Sequence, residues 1–191
     1  MSHDAPQVQV NSRAEWRRWL EANRNSRQPV WLVTYRKGHP RHLPYEDIVE
    51  EALCFGWIDS LLHKLDAERS ALYMSPRKAG GIWARSNKQR AERLEAAGLM
   101  TPAGRAVIER AKADGSWSLL DDIDQLVMPP DLLAALEADP LAQSRWEAFS
   151  PSIRKQFLWW IKSAKRETTR TARIEGTVRA ARENVRVPGK A

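Results

Sequence analysis

The chain has 191 residues, 42% hydrophobic and 29% charged, with nine tryptophans, one cysteine and a formal net charge of +7. That composition excludes a disordered chain and a disulfide scaffold, and the length allows one large or two small hydrophobic cores. The longest apolar run, "FLWWI" at 157–161, is too short to span a membrane, and "MSHDAPQVQV" lacks the basic head and apolar run of a secretory signal. The expectation is a cytoplasmic protein without membrane insertion.

The N-terminal half alternates helix and strand signals. Ser12 and Glu15 in "NSRAEWRRWLEANRN" are spaced as a capping box, with Trp16, Trp19 and Leu20 on one helical face. The β-branched and aromatic "PVWLVTYRK" (29–37) predicts a buried strand. "LPYEDIVEEALCFG" (43–56) predicts a helix with Tyr45, Ile48, Val49, Ala52 and Phe55 inward and Glu46, Asp47, Glu50 and Glu51 outward. "WIDSLLHKL" (57–65) and "RSALYMS" (69–75) form a predicted hairpin across "DAE". Helices follow over about 83–97, stopped by Gly98, and from the Thr101-Pro102 cap to Gly115.

Residues 116–130, with acidic "DDID" and "MPP", read as a linker, and everything beyond as helical, each segment opened by a proline, a cap or an acid. The predicted class is therefore α+β: a small mixed or antiparallel sheet with helices in residues 1–115, a linker at 116–130, and an all-helical module over 131–191. Residues 1–10 and 187–191 are expected to fray.

Charge is unevenly placed along the chain. Residues 150–191 hold 11 Lys or Arg against 3 Glu, whereas residues 1–149 hold 20 basic and 21 acidic residues. On one helix, Lys155, Trp159, Lys162 and Arg166 fall at i, i+4, i+7 and i+11, opposite an apolar face of Ile153, Phe157, Trp160 and Ala164. On the next, Arg179, Arg182 and Arg186 run beside Ile174, Val178, Ala181 and Val185. A basic helical hairpin carrying an indole has the parts to grip a polyanion, nucleic acid included, without base reading. The same pattern also fits a solvated surface, or a protein-docking face with Trp159 in an apolar patch.

A second candidate is "SPRKAGGIWARSNKQR" (75–90). Gly80 and Gly81 relax the backbone ahead of a helix start, with Arg77, Lys78, Arg85 and Lys88 nearby, which are the parts of an anion site. No GxxxxGK(S/T) loop and no GxGxxG is present. The stretch reads first as a turn whose cations meet water or the acidic helix face at 46–51. An enzyme reading rests on Asp59 and His63 sharing a face of one strand, with Cys54 as a distant candidate nucleophile. His39 and His42 have no zinc-ligand spacing, and "DDID" lacks the glycine of a calcium loop, so neither metal nor cofactor is expected. The sequence fixes no oligomeric state.

The phrases "YEDIVEEALCFGWIDS", "SPRKAGGIWARSNKQRAERL", "GLMTPAG" and "FSPSIRKQFLWWIKSAKRETTRTARI" resemble the bacteriocin-protection, YdeI/OmpD-associated family over about Trp31 to Val178. Residues 75–88 depart from its usual pattern, which more often has Thr before the Pro-Arg pair. The resemblance implies a separate helical C-terminal part and a stress-related role in tolerance of antimicrobial peptides. It supplies no catalytic residues. The combined expectation is a non-enzymatic protein that binds an anionic partner.

Overall fold

The computed structural model describes residues 4–190, and residues 1–3 and 191, part of the expected frayed ends, lie outside them. The chain is α+β and divides into two compact units, 1–119 and 120–191.

The first unit is built on a four-stranded sheet of order β1-β2-β4-β3, formed by β1 (Gln7–Gln9), β2 (Val30–Tyr35), β3 (Trp57–Lys64) and β4 (Arg69–Pro76). β1 pairs parallel to β2, and the other neighbours are antiparallel. The pairing of β1, a segment expected to fray, is fixed by Trp31 N donating to Pro6 O at 2.9 Å and Val10 N to Val33 O at 3.2 Å. One sheet face, carrying Val30, Leu32, Leu72, Met74 and Trp57, forms the main core with Trp16, Leu20, Leu53, Trp83, Leu94 and Ile108. The other face carries a smaller cluster of Trp31, Val33 and Ala71.

Four helices complete the unit: α1 (Arg13–Ala22), α2 (Tyr45–Cys54), α3 (Arg85–Ala96) and α4 (Pro102–Ala113). Ser12 caps α1 by accepting from Glu15 N, while the Glu15 carboxylate returns to Asn11 N at 2.8 Å rather than to Ser12. Thr101 caps α4 and its hydroxyl donates to Cys54 O at 2.6 Å, pinning α4 to the end of α2. That approach needs Gly104, because a Cβ there would lie 2.3 Å from Cys54 O.

The acidic face of α2 differs from expectation. Glu50 and Glu51 are buried, at 5% and 3% exposure, under an arginine network. Arg13 reaches Asp47, Glu50 and Glu51 at 2.8, 3.0 and 2.6 Å, Arg17 reaches Glu51 at 2.7 Å, and Arg93 reaches Glu50 at 2.6 Å. The cations on the acidic helix thus come from α1 and α3, and none is Arg77, Lys78 or Arg85.

The second unit is all-helical: α5 (Asp121–Asp124), α6 (Pro130–Glu137), α7 (Pro140–Ala148), α8 (Pro151–Lys162) and α9 (Glu167–Arg182). Prolines sit in the first turns of α6, α7 and α8, where a missing N–H costs nothing. The core gathers Leu132, Leu136, Trp146, Phe149, Phe157, Ile161, Ile174 and Ala181. The stretch read as a linker contributes α5 to this unit, with Ile123 in the core at 6% exposure.

Candidate functional site

Arg77 follows β4 and is anchored by its N–H to Gly56 O at 2.9 Å. Its side chain turns inward. At 8% exposure it lays its guanidinium over the ring of Trp83, 3.8 Å from the centroid, and Trp83 is itself 2% exposed. Nη1 donates a long bond to Ile82 O at 3.4 Å, and Nε has no partner among the described residues. No carboxylate of the described residues forms an ion pair with it. Burial pushes its pKa down to about 10, against the opposing pull of Asp59. The expectation that Arg77 projects outward beside Lys78 and Arg85 is therefore corrected. Lys78 and Arg85 are exposed, whereas Arg77 is a buried cation without a counter-ion among the described residues.

The glycine turn has an anion already. Gly80 N donates to Asp114 Oδ2 at 2.9 Å and Ser116 N to Asp114 Oδ1 at 2.9 Å. Hydrogen bonds from Ser116, then from Gly80, hold the Asp114 carboxyl below its ordinary range. Here the loop cradles a carboxylate of its own chain.

Asp59 lies on β3 opposite Met74 and accepts from the Tyr45 hydroxyl at 2.8 Å through Oδ2. Burial, then the Asp59 hydrogen bond, push the Tyr45 phenol up to about 12. Next to it, Arg90 clamps Glu46 with two bonds of 2.7 and 2.8 Å, and holds that carboxyl below its ordinary range.

His63 does not join Asp59. A register shift between Asp59 and Leu62 inserts one residue into β3, so Asp59 lies opposite Met74 while His63 lies opposite Ala71, on the other face of the sheet. There the His63 ring packs edge-on against Trp31 at 4.9 Å. Strict alternation along β3 implied a dyad, and the bulge abolishes it. Cys54 is fully buried, and burial pushes its thiol up to about 11, which removes it as a nucleophile at neutral pH. His39 stacks on Tyr35 at 3.8 Å, and His42 Nδ1 lies 2.8 Å from Tyr35 O. Among the described residues no three of His, Cys, Asp or Glu converge as metal ligands.

The C-terminal stripe is also rearranged. Lys155 pairs with Asp124 at 2.8 Å, Lys162 with Asp122 at 2.7 Å, and Arg182 with Asp139 at 3.4 Å. Trp159 is half-buried against the second core rather than standing free among cations. Arg166, Arg179 and Arg186 are exposed, and of these Arg166 and Arg186 form no ion pair with a described residue. Counted by unit, residues 120–191 hold 12 Lys or Arg against 10 Asp or Glu, and residues 1–119 hold 19 against 14. The acids of α5 to α7 belong with the cations of α8 and α9, so the excess assigned to the C-terminal end largely disappears.

Sequence reasoning missed three side-chain roles in the first unit. Trp83 forms the floor under the Arg77 guanidinium, Tyr45 positions Asp59, and Arg90 takes up Glu46. A tryptophan six residues after an arginine across a Gly-Gly turn carries no periodic signal, and the Tyr45–Asp59 contact joins elements 14 residues apart.

No helix of the described residues is long and apolar enough to cross a membrane. No curated protein and no solved structure matches the chain. Residues 125–184, most of the helical unit, match the family model described as Bacteriocin-protection, YdeI or OmpD-Associated, which shows the resemblance there. Residues 8–107 match a separate model that spans more than half of the chain and encloses Tyr45, Asp59, Arg77, Trp83 and Arg90. By that match the chain belongs to the family described as Domain of unknown function (DUF8412), joined to a YdeI/OmpD-associated helical region.

Proposed function

We propose that the protein is a cytoplasmic, non-enzymatic binding protein whose first unit takes up a compact anionic group at Arg77. One observation carries this reading. A guanidinium that is nine-tenths buried, stacked on an indole and without a carboxylate partner among the described residues is costly to maintain, and a bound anion is what relieves that cost. A stress-related role, in the sense of the words bacteriocin protection that describe the family of the helical unit, belongs to the same proposal.

Isothermal titration of the full chain with inorganic phosphate and with acetate tests it. The expected result is saturable binding at one site, lost in Arg77→Met and kept in the Lys155→Ala, Lys162→Ala double variant. No binding of either anion, or binding that Arg77→Met leaves intact, overturns the reading.

Nucleic acid remains the second reading, supported by exposed Arg166 and Arg186 in the helical unit. It requires that log affinity for DNA or RNA fall steeply with log salt, and that Arg166→Ala with Arg186→Ala flatten that slope. Salt-independent or absent binding removes it.

A further inference from the structure

β3 is an outer strand of the sheet, paired on one side with β4. Among the described residues Ile58, Asp59, Leu61, Leu62 and Lys64 form no backbone-to-backbone bond outside that ladder. Residues 60–65 are all exposed, and Leu62, at 70%, is the most exposed large apolar side chain of the described residues. A long outer strand carrying Leu61, Leu62 and Leu65 is a template for another strand.

The irregularity in β3 decides which strand fits. Strict alternation would put Asp59 and Lys64 on opposite faces of the sheet. The extra residue between Asp59 and Leu62 instead sets Asp59 opposite Met74, Leu62 opposite Leu72 and Lys64 opposite Ser70. Those three partners alternate along β4, so an acid, a leucine and a base stand on one face at equal intervals, with Leu62 midway. On the other face Ile58 lies opposite Ser75 and His63 opposite Ala71, and Leu65 lines that face beside Trp31 and His63.

This strand is complementary to itself run backwards. An antiparallel copy paired about Leu62 sets Asp59 against Lys64 of the partner and Lys64 against Asp59 of the partner. A two-fold axis normal to the sheet requires one residue to face its own copy, and here that residue is Leu62. On the opposite face Ile58 meets Leu65 of the partner. Moving the axis one position either way sets Leu62 against Asp59 or Lys64 and leaves the acid and the base unmatched. Neither Asp59 nor Lys64 forms an ion pair with a described residue. The Tyr45 hydroxyl, 2.8 Å from Asp59 Oδ2, orients the carboxylate and leaves Oδ1 for an ammonium group. A bulge and a lysine usually discourage edge pairing, but in this register the bulge aligns the charges and the lysine is matched.

We infer that the chain forms a two-fold symmetric dimer by antiparallel pairing of β3 with β3 of a second copy, which joins the two four-stranded sheets into one. The inference is independent of the anion reading at Arg77.

Sedimentation velocity of the full chain tests it. The expected result is a reversible dimer, half dissociated between about 1 and 100 µM, as suits a small interface. Leu62→Lys, facing its own copy, is expected to weaken the dimer at least about tenfold. Lys64→Asp and Asp59→Lys each set like charges opposite one another twice, and each should be weakened similarly. An equimolar mixture of these two variants should dimerise again, because every contact then joins opposite signs; mixing would not cure a folding defect. Under mild oxidation Leu62→Cys should cross-link to a covalent dimer, the native Cys54 being buried. Lys64→Cys, about 13 Å from its own copy along the strands, should not. A chain that stays monomeric up to about 300 µM overturns the inference, as does a dimer that Leu62→Lys leaves intact and Leu62→Cys does not link.

Discussion

Replacing Arg77 by methionine separates function from stability. Holding the buried guanidinium charged with a pKa of about 10, well below the ordinary arginine range of the unfolded chain, costs the folded state about 3 kcal/mol. The stack on Trp83 at 3.8 Å offsets about 2 kcal/mol of that. Methionine keeps most of the methylene volume against the indole and carries no charge. Arg77→Met should therefore fold as stably as the unmodified chain or about 1 kcal/mol more so, although it removes the group proposed to bind the anion. The sign follows from linkage. A base whose folded pKa is depressed destabilises the folded state in full below that pKa, so the penalty is complete at pH 7 and fades only as pH rises above about 10. The assay is urea unfolding at pH 7, with hydrogen exchange of peptides from residues 4–119 reporting on the first unit. The midpoint should stay or rise by about half a molar. A fall of more than about half a molar would refute the claim that the charge is uncompensated and would make Arg77 a structural keystone.

Two further substitutions and one labelling experiment test the packing of the two units. In an open helix Gly104→Ala would gain about 1 kcal/mol, but its Cβ would meet the Cys54 carbonyl carbon and oxygen at 2.8 and 2.3 Å, and backbone cannot yield. A net loss of about 2 kcal/mol or more is expected in the first unit, and an unchanged urea midpoint would contradict the α2–α4 contact. Gly176→Ala meets the Trp160 ring at 3.3 Å and the Arg179 guanidinium at 3.9 Å, side chains that can shift, so the second unit should change by less than about 1 kcal/mol. Cys54, buried with its thiol pushed up to about 11, should resist a disulfide reagent at pH 8 until urea unfolds the first unit. Labelling of the native protein within seconds would contradict that burial.

Much of the fold was legible because its signals are local. The run at 29–37, the hairpin at 57–75 and the Thr101-Pro102 helix start each depend on periodicity or capping within a few residues, and each forms close to where the sequence predicts it. The site was less legible because its determinants are not local. The bulge in β3 changes the face of every later residue, so His63 leaves Asp59 although sequence spacing puts them together. The inward turn of Arg77 depends on Trp83, whose place follows from the packing of the core, not from the loop that carries it. Glu50 and Glu51 looked like solvent-facing acids because only tertiary structure brings Arg13, Arg17 and Arg93 onto them.

The two basic regions differ in the same physical respect, which decides between them. In the helical unit Lys155, Lys162, Arg170 and Arg182 all have acids that arrive from α5, α6 and the start of α7, so their charge holds helices together. Such pairs are partly exposed and individually weak, yet they neutralise the stripe a polyanion would need. In the first unit the most deeply buried cation forms no ion pair with a described carboxylate, while more accessible arginines on α1 and α3 are matched to Glu46, Asp47, Glu50 and Glu51. Burial raises the cost of an unmatched charge and solvent lowers it, so a fold shaped by stability alone would place its acids the other way round. Arg77 departs from that order, and a residue that departs from it is where a ligand is expected to complete the structure.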